Sequence, residues 1–333
     1  MRSRSASQVS PPTQRFRQPA RQPAHQTSRR KLWGGLALAL GLMLAAAAFA
    51  ANRPGAGQSA RLAEKAQFVG AYTWRAKPDW FGGFSGIEVS DDGTAMTVLS
   101  DRATVVRARV QRESDEISGI ELESAQRLRS SKGRYLLGRI MDSEGLAVAP
   151  DGSLYISFEG VSRVVHHQRD DSRARVLPRP KAFRSLPLNK ALEALAIDEQ
   201  GRLYTLPENA PNAKGEIPVW RWDSTRWRQP FSLPRRGGFL PVGADFGPDG
   251  RFYLLERNFV FIGFRSRLRR WDITNQGVQN EVTLLETGTG LHDNLEGVSV
   301  WRDQNGDLRA TMISDDNFKS LQRTELVEYR LPE

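Results

Sequence analysis

The chain has no cysteine and only four histidines in 333 residues. A disulfide scaffold and thiolate chemistry are excluded at once. Zinc or copper centres built on sulfur and imidazole have little to draw on. No Gly-rich phosphate loop, zinc motif or Gly-x-Ser-x-Gly elbow occurs. Acidic residues are missing from residues 1–31, which hold eight of the basic ones. The formal net charge of +10 is therefore mostly a property of this tail, and the rest of the chain carries about +2. A nucleic-acid-binding body is not indicated. Charge of either sign is absent from Leu32 to Asn52. Helical periodicity is scarce beyond Phe68.

The basic run, the charge-free run and the exit Ala48-Phe49-Ala50-Ala51 have the layout of an export signal. Ser28-Arg29-Arg30-Lys31-Leu32 resembles a twin-arginine motif. The charge-free run is also long enough to span a bilayer, so an uncleaved inner-membrane anchor is the alternative. The expected division is a basic n-region at 1–31, a signal or anchor at 32–51, a linker at 52–67 and one domain at 68–333. The domain is expected in the periplasm or outside the cell, as a monomer, touching a membrane only through the N-terminal segment if that is uncleaved.

What fills residues 68–331 is a repeat. "FSGIEVSDDGTAMTVLSDR" begins at Phe84, "DSEGLAVAPDGSLYISFEG" at Asp142 and "ALEALAIDEQGRLYTLPEN" at Ala191. "PVGADFGPDGRFYLLERNF" begins at Pro241 and "NLEGVSVWRDQNGDLRATMISDDN" at Asn294. Each unit is a small residue, an alternating strand, a polar turn with glycine, a second strand and an acid. The small residues are aligned as Gly86, Gly145, Ala194, Ala244 and Gly297, spaced by 59, 49, 50 and 53. A period near fifty with a hairpin at its heart predicts an all-β fold, a single β-propeller. Five blades of four antiparallel strands around a channel fit the length, with six remaining open. Ser118-Gly119-Ile120-Glu121 copies part of the first unit but lacks its turn, and reads as an outer strand. Phe68–Trp74 is expected to pair with Glu325–Leu331 and close the ring.

Inner strands of a propeller run along its axis, so equivalent positions form a ring. The residues preceding the small ones are then Ser85, Glu144, Glu193, Gly243 and Glu296. The acids ending the second strands are Asp101, Glu159, Glu208, Glu256 and Asp315. Carboxylates so gathered would repel one another unless a cation, protonation or a neighbouring arginine offsets them. Oxygen donors without cysteine suit Ca²⁺ or Mg²⁺. The candidate metal ligands are Glu144, Glu193, Glu296, Asp101, Glu159, Glu208 and Asp315. Solvated or blade-bridging acids are the bland alternative. Arg102, Arg257, Asn294 and Asn317 are candidates for binding substrate. His292, Asp293 and Glu296, in "HDNLEG", are candidate catalytic groups. His166 and His167 read as solvated residues of an outer strand. Arg265, Arg267 and Arg269 alternate onto one strand face, exposed or gripping an anion.

"FGGFSGIEVS", "DSEGLAVAPDGSLYISFE", "LPVGADFGPDGRFYLLER", "HDNLEGVSVW" and "ISDDNF" resemble the phytase-like family, exported bacterial proteins described by an esterase-like activity of phytase. The resemblance covers nearly all of 68–331 and implies a propeller that hydrolyses an ester, including a phosphate ester, as a small anionic substrate. Propeller phytases of related type hold a calcium cluster. Their "DADDPA"-type signature is absent, and Asp315-Asp316-Asn317 does not match it, which speaks against phytate itself. Two rival readings remain: a non-catalytic propeller binding a ligand or partner, and a calcium-dependent lactonase.

Overall fold

The computed structural model describes residues 66–274 and 277–333. The expected export segment lies outside these residues. Among the described residues, twenty strands form five four-stranded antiparallel sheets. The first sheet in the chain holds β2 (Phe84–Val89), β3 (Ala95–Ser100), β4 (Thr104–Glu113) and β5 (Glu116–Arg127). The second holds β6 (Ser143–Val148), β7 (Leu154–Phe158), β8 (Arg163–His167) and β9 (Arg175–Val176). The third holds β10 (Leu192–Ile197), β11 (Leu203–Pro207), β12 (Ile217–Trp222) and β13 (Trp227–Leu233). The fourth holds β14 (Leu240–Phe246), β15 (Phe252–Val260), β16 (Gly263–Thr274) and β17 (Gly277–Glu286). The fifth joins β18 (Leu295–Arg302), β19 (Leu308–Ser314) and β20 (Glu325–Arg330) to β1 (Gln67–Thr73), which comes from the other end of the domain.

Five blades are thus present. The expected closure is found: β1 pairs with β20 from Gln67↔Arg330 to Thr73↔Glu325. The Ser118 segment lies on β5, an outermost strand, as its missing turn suggests. All twenty strands and the five apolar clusters between blades lie within residues 66–331, so the ring is complete without the upstream chain.

The inner strands β2, β6, β10, β14 and β18 crowd around the axis. A Cβ on Gly243 would lie 2.5 Å from the Glu296 carbonyl oxygen, and one on Gly145 would lie 2.7 Å from that of Glu193. Only a residue without a Cβ lets these neighbouring backbones approach so closely. The waist they form, between Ser85, Gly145, Gly243 and Gly297, leaves about 10 Å³. That is too little for a chain of waters, so the channel is two separate mouths.

The register corrects the alignment of the fourth unit. In the first, third, fourth and fifth blades one residue bulges out of the inner ladder: Ser85, Glu193, Val242 and Glu296. The irregularity in the second blade spans Glu144 and Gly145. The small residue of the fourth blade is therefore Gly243, not Ala244, and Val242 takes the place given to Gly243. On the second strand Arg257, not Glu256, falls level with Asp101, Glu159, Glu208 and Asp315. A slip of one residue moves a side chain to the other face of a strand. Glu256 accordingly points away from the mouth.

Candidate functional site

The bulges decide what enters the mouth. A bulge leaves its residue unpaired and re-aims its side chain. Glu144, Glu193 and Glu296 are carried on such bulges at the start of the inner strands. The residues following the second strands supply Asp101, Glu159, Glu208 and Asp315 to the same end, and Arg257, inside the longer β15, stands level with them. Asp142 joins them from the segment before β6. Carboxylate oxygens of Asp142, Glu144 and Glu159 lie within 4.8 Å of one another. The structure thus brings together all seven candidate metal ligands at one end of the axis, with Asp142 added.

Electrostatics in this cluster are strained in one direction. Burial, then repulsion from Glu296, Asp142, Glu159 and Asp101, pushes the Glu144 carboxyl well above the usual carboxylate range. Burial, then Glu144, Glu159 and Glu208, does the same to Glu193. Asp315 is pushed up to about 8 by burial, with Glu296 and Asp101 adding to it. Asp101 is pushed up to about 6, mainly by burial, against the lowering effect of Arg102. Glu159 accepts a hydrogen bond from the Ala191 backbone at 2.9 Å, and burial pushes its carboxyl above the usual range.

Arg257 is the guanidinium that enters the cluster. It donates to Glu296, to Glu208 at 3.1 Å and to Asn294 Oδ1 at 2.7 Å. Burial alone would lower its pKa, but Glu296, Glu193 and Glu208 hold it up. Asn294 is buried and donates its amide to Glu296 Oε1 at 2.8 Å. Both residues are committed to carboxylates rather than facing open solvent as free substrate ligands. Arg102 stands exposed at the rim, its guanidinium 3.3 Å from the Phe318 ring centre. Asn317 adopts φ 49°, and its backbone N–H donates to Asp315 Oδ1 at 2.6 Å.

Other candidates lie elsewhere. His292 is buried with Nε2 2.6 Å from the Tyr329 hydroxyl and its ring stacked on Phe68. Burial lowers its pKa to about 4, so it stays neutral. Asp293 accepts from the backbones of Asn294 and Arg323, tying two loops together. Neither touches the acid cluster in any hydrogen bond. His167 is fully buried on β8, a third strand, with Nδ1 3.0 Å from the Ser172 carbonyl. His166 is half-buried against Tyr155. Arg265, Arg267 and Arg269 do share a face of β16, but Arg269 is 0% and Arg267 5% exposed. Both bind Glu256, itself 0% exposed, at 2.5–2.7 Å. This is a buried ion cluster, not an anion grip. A cavity of about 670 Å³ runs along the flank by β1 and the β4–β5 turn, away from the acid mouth.

A model of the phytase-like family, described by an esterase-like activity of phytase, matches residues 79–318. The chain belongs to this family. The matched span holds every residue of the acid mouth. No curated protein matches the chain. Among solved structures, it is similar to virginiamycin B lyase from Staphylococcus aureus at 14% identity, over 79% of this chain and 75% of that one, with a TM-score of 0.39. It is also similar to a gluconolactonase from Xanthomonas campestris at 16% identity, over 75% and 72%, with a TM-score of 0.40. The blade count and the site of this phytase-like chain rest on its own strand pairing, not on these distant likenesses.

Asp142 was the residue that the repeat left out. It aligns with Asn294, which also contacts an inner-strand glutamate, and that alignment was the available signal. The opposite mouth was not anticipated at all. It is a cavity of about 530 Å³ whose wall includes Glu88, Asp245 and Ser299. Counted from Gly86, Gly243 and Gly297, these three are equivalent positions.

Proposed function

We propose that the acid mouth binds a divalent cation of the Ca²⁺ or Mg²⁺ class and that the chain hydrolyses an ester there. The observation that supports this best is the convergence of Asp142, Glu144 and Glu159 within 4.8 Å, inside a larger set of carboxyls raised by burial and then by one another. The donor set fits: it is all oxygen, partly buried and short of positive charge. Asp142, Glu144 and Glu159 would hold the ion, with Glu193 and Glu296 as further donors. A bound divalent cation supplies Lewis-acid polarisation of an ester oxygen and a more acidic water.

The chain's own residues supply the remainder. Asp315, protonated near neutral pH, can give a proton to a leaving oxygen, and Asp101 can take one from water. Arg257 and Asn294 hold Glu296 in place. Arg102, exposed at the rim, is suited to orienting an anionic group on the substrate. His292 and Asp293 take no part in this scheme. The export-signal layout of residues 1–51 supports an activity outside the cytoplasm, which cell fractionation tests.

Aryl phosphates, carboxyl esters and lactones assayed with and without chelator test the function. Turnover of one class that requires the cation and falls at least about a hundredfold in Glu144→Gln supports it. Turnover of none, with a cation still bound, would favour the non-catalytic reading.

A further inference from the structure

The two faces of the propeller differ in kind. Loops joining second to third strands, and those leading into each inner strand, lie on the acid-mouth face. Inner-hairpin turns lie on the opposite face. Those turns are polar and acidic: Asp91-Asp92-Gly93, Asp151-Gly152, Asp198-Glu199, Asp249-Gly250 and Asp303 with Asp307. None of the exposed large apolar residues falls in them.

The acid-mouth face carries the apolar ones. The β15–β16 hairpin is its most prominent feature. Val260 pairs with Gly263, so Phe261 and Ile262 alone form the turn. They are 97% and 82% exposed. Two-residue turns ordinarily take Asn, Asp or Gly, and nothing in the fold requires a phenylalanine and an isoleucine there. Phe259 (63% exposed) lies against Phe264 just below them, the tilted rings 5.1 Å apart, which extends the tip into an apolar finger. Leu321, Leu188, Leu291 and Leu137 project from neighbouring loops of this face.

Basic residues stand between them. Arg102, Arg139, Lys190, Lys214, Lys319 and Arg323 are all exposed on these loops. Apart from Asp79, the carboxylates of the same face are buried or half-buried, with Glu144, Glu193, Glu208 and Asp315 all buried. A surface approaching this face therefore meets apolar tips and positive charge first. Basic residues interleaved with exposed aromatic and aliphatic tips are what an anionic lipid interface recognises. A soluble protein partner would need a shaped patch, whereas these tips are spread over four blades.

We propose that the acid-mouth face docks on an anionic lipid surface, with Phe261 and Ile262 inserted and the basic loops against the headgroups. This contact is separate from the one expected of an uncleaved N-terminal segment. It does not depend on the hydrolytic reading. The opposite face, lined with acids, stays turned to water.

The test uses residues 56–333, which contain the complete ring. Co-sedimentation is measured with vesicles of phosphatidylcholine alone and of phosphatidylcholine with phosphatidylglycerol. Binding is expected to the second kind and to weaken with salt. Phe261→Ser with Ile262→Ser is expected to weaken it at least about tenfold, since two large side chains lose their apolar environment. Leu122→Ser, on the flank strand β5, is expected to leave it unchanged. Lys319→Glu is expected to weaken it about fivefold or more, by reversing one charge. All three variants alter exposed residues, and melting curves check that they fold. The proposal is overturned if the wild type shows no preference for phosphatidylglycerol, or if the tip variant binds as the wild type does. It is also overturned if the tip's sole effect is on self-association without vesicles, which would assign the finger to a second copy of the chain.

Discussion

Raised carboxyl pKa values have a consequence for stability that runs against the usual trend. Asp315 holds its proton up to about 8 in the folded chain, against 3.8 as an ordinary carboxylate. The folded state therefore binds more protons than the unfolded one. Its stability from this group is fully present below about pH 4 and is lost as pH rises through about 8. His292 works the other way below its ordinary 6.5, because it is held neutral by burial. Comparing about pH 7 with about pH 9 isolates the acid. Across that interval Asp315 gives up roughly one proton-unit of linkage, about 1.4 kcal/mol. Urea unfolding in chelator should show stability falling by at least that much. In Asp315→Asn the fall should shrink by about the same amount, since the amide oxygen still accepts from Asn317. Added Ca²⁺ should flatten the dependence in the wild type, and its stabilising effect should be larger at the higher pH. Stability that is level or rising between these pH values in chelator would refute the electrostatic picture of the mouth.

Three further outcomes follow from the packing and the register. Glu256→Gln should cost about 3 kcal/mol in urea unfolding, because Arg267 and Arg269 lose their buried partner, yet leave cation affinity unchanged. Gly243→Ala should cost about 1–3 kcal/mol, measured the same way, because its Cβ meets the Glu296 carbonyl; Gly237→Ala, with nothing within 4 Å, tests only its positive φ. Proton NMR of His292 should show titration near 4, and Tyr329→Phe should lower stability by about 1 kcal/mol without changing turnover. Titration near neutral pH would reopen a role for this histidine.

The repeat was legible because a propeller writes its inner hairpin into every unit. Turn glycine, small axial residue and strand-end acid recur at fixed offsets, and the closing strand follows from length. The fourth unit was misread because Gly243 and Ala244 are adjacent and both small. The distance to the turn glycine separates them: seven residues from Gly86 to Gly93, from Gly145 to Gly152, from Ala194 to Gly201 and from Gly243 to Gly250. That spacing fixes which face each side chain takes, and it converts Glu256 from a ring acid into the centre of a buried ion cluster. His292 was a different failure. Its neighbours in sequence are polar, but its partners Tyr329 and Phe68 come from strands at the two ends of the domain. No local pattern could report them.

Glu88 and Asp245 show how far the same periodicity reaches. They occupy one ring position on the opposite mouth, where the fifth blade has Ser299. Asp245 accepts from the Val300 and Phe246 backbones and is pushed up to about 7 by burial. Glu88 is raised well above its ordinary value by burial, then by Asp245. The closed waist separates this pair from the acid mouth, so the two should be independent. Glu88→Gln removes one of two repelling charges while keeping an acceptor for Ser299. It should raise stability by about 1 kcal/mol near pH 9 and by less near pH 6, below the value of about 7 to which Asp245 is raised. It should leave cation affinity at the acid mouth and the Asp315-dependent slope untouched. If Glu88→Gln instead shifts cation binding, the waist does not insulate the mouths, and the two carboxyl clusters would have to be treated as one coupled site.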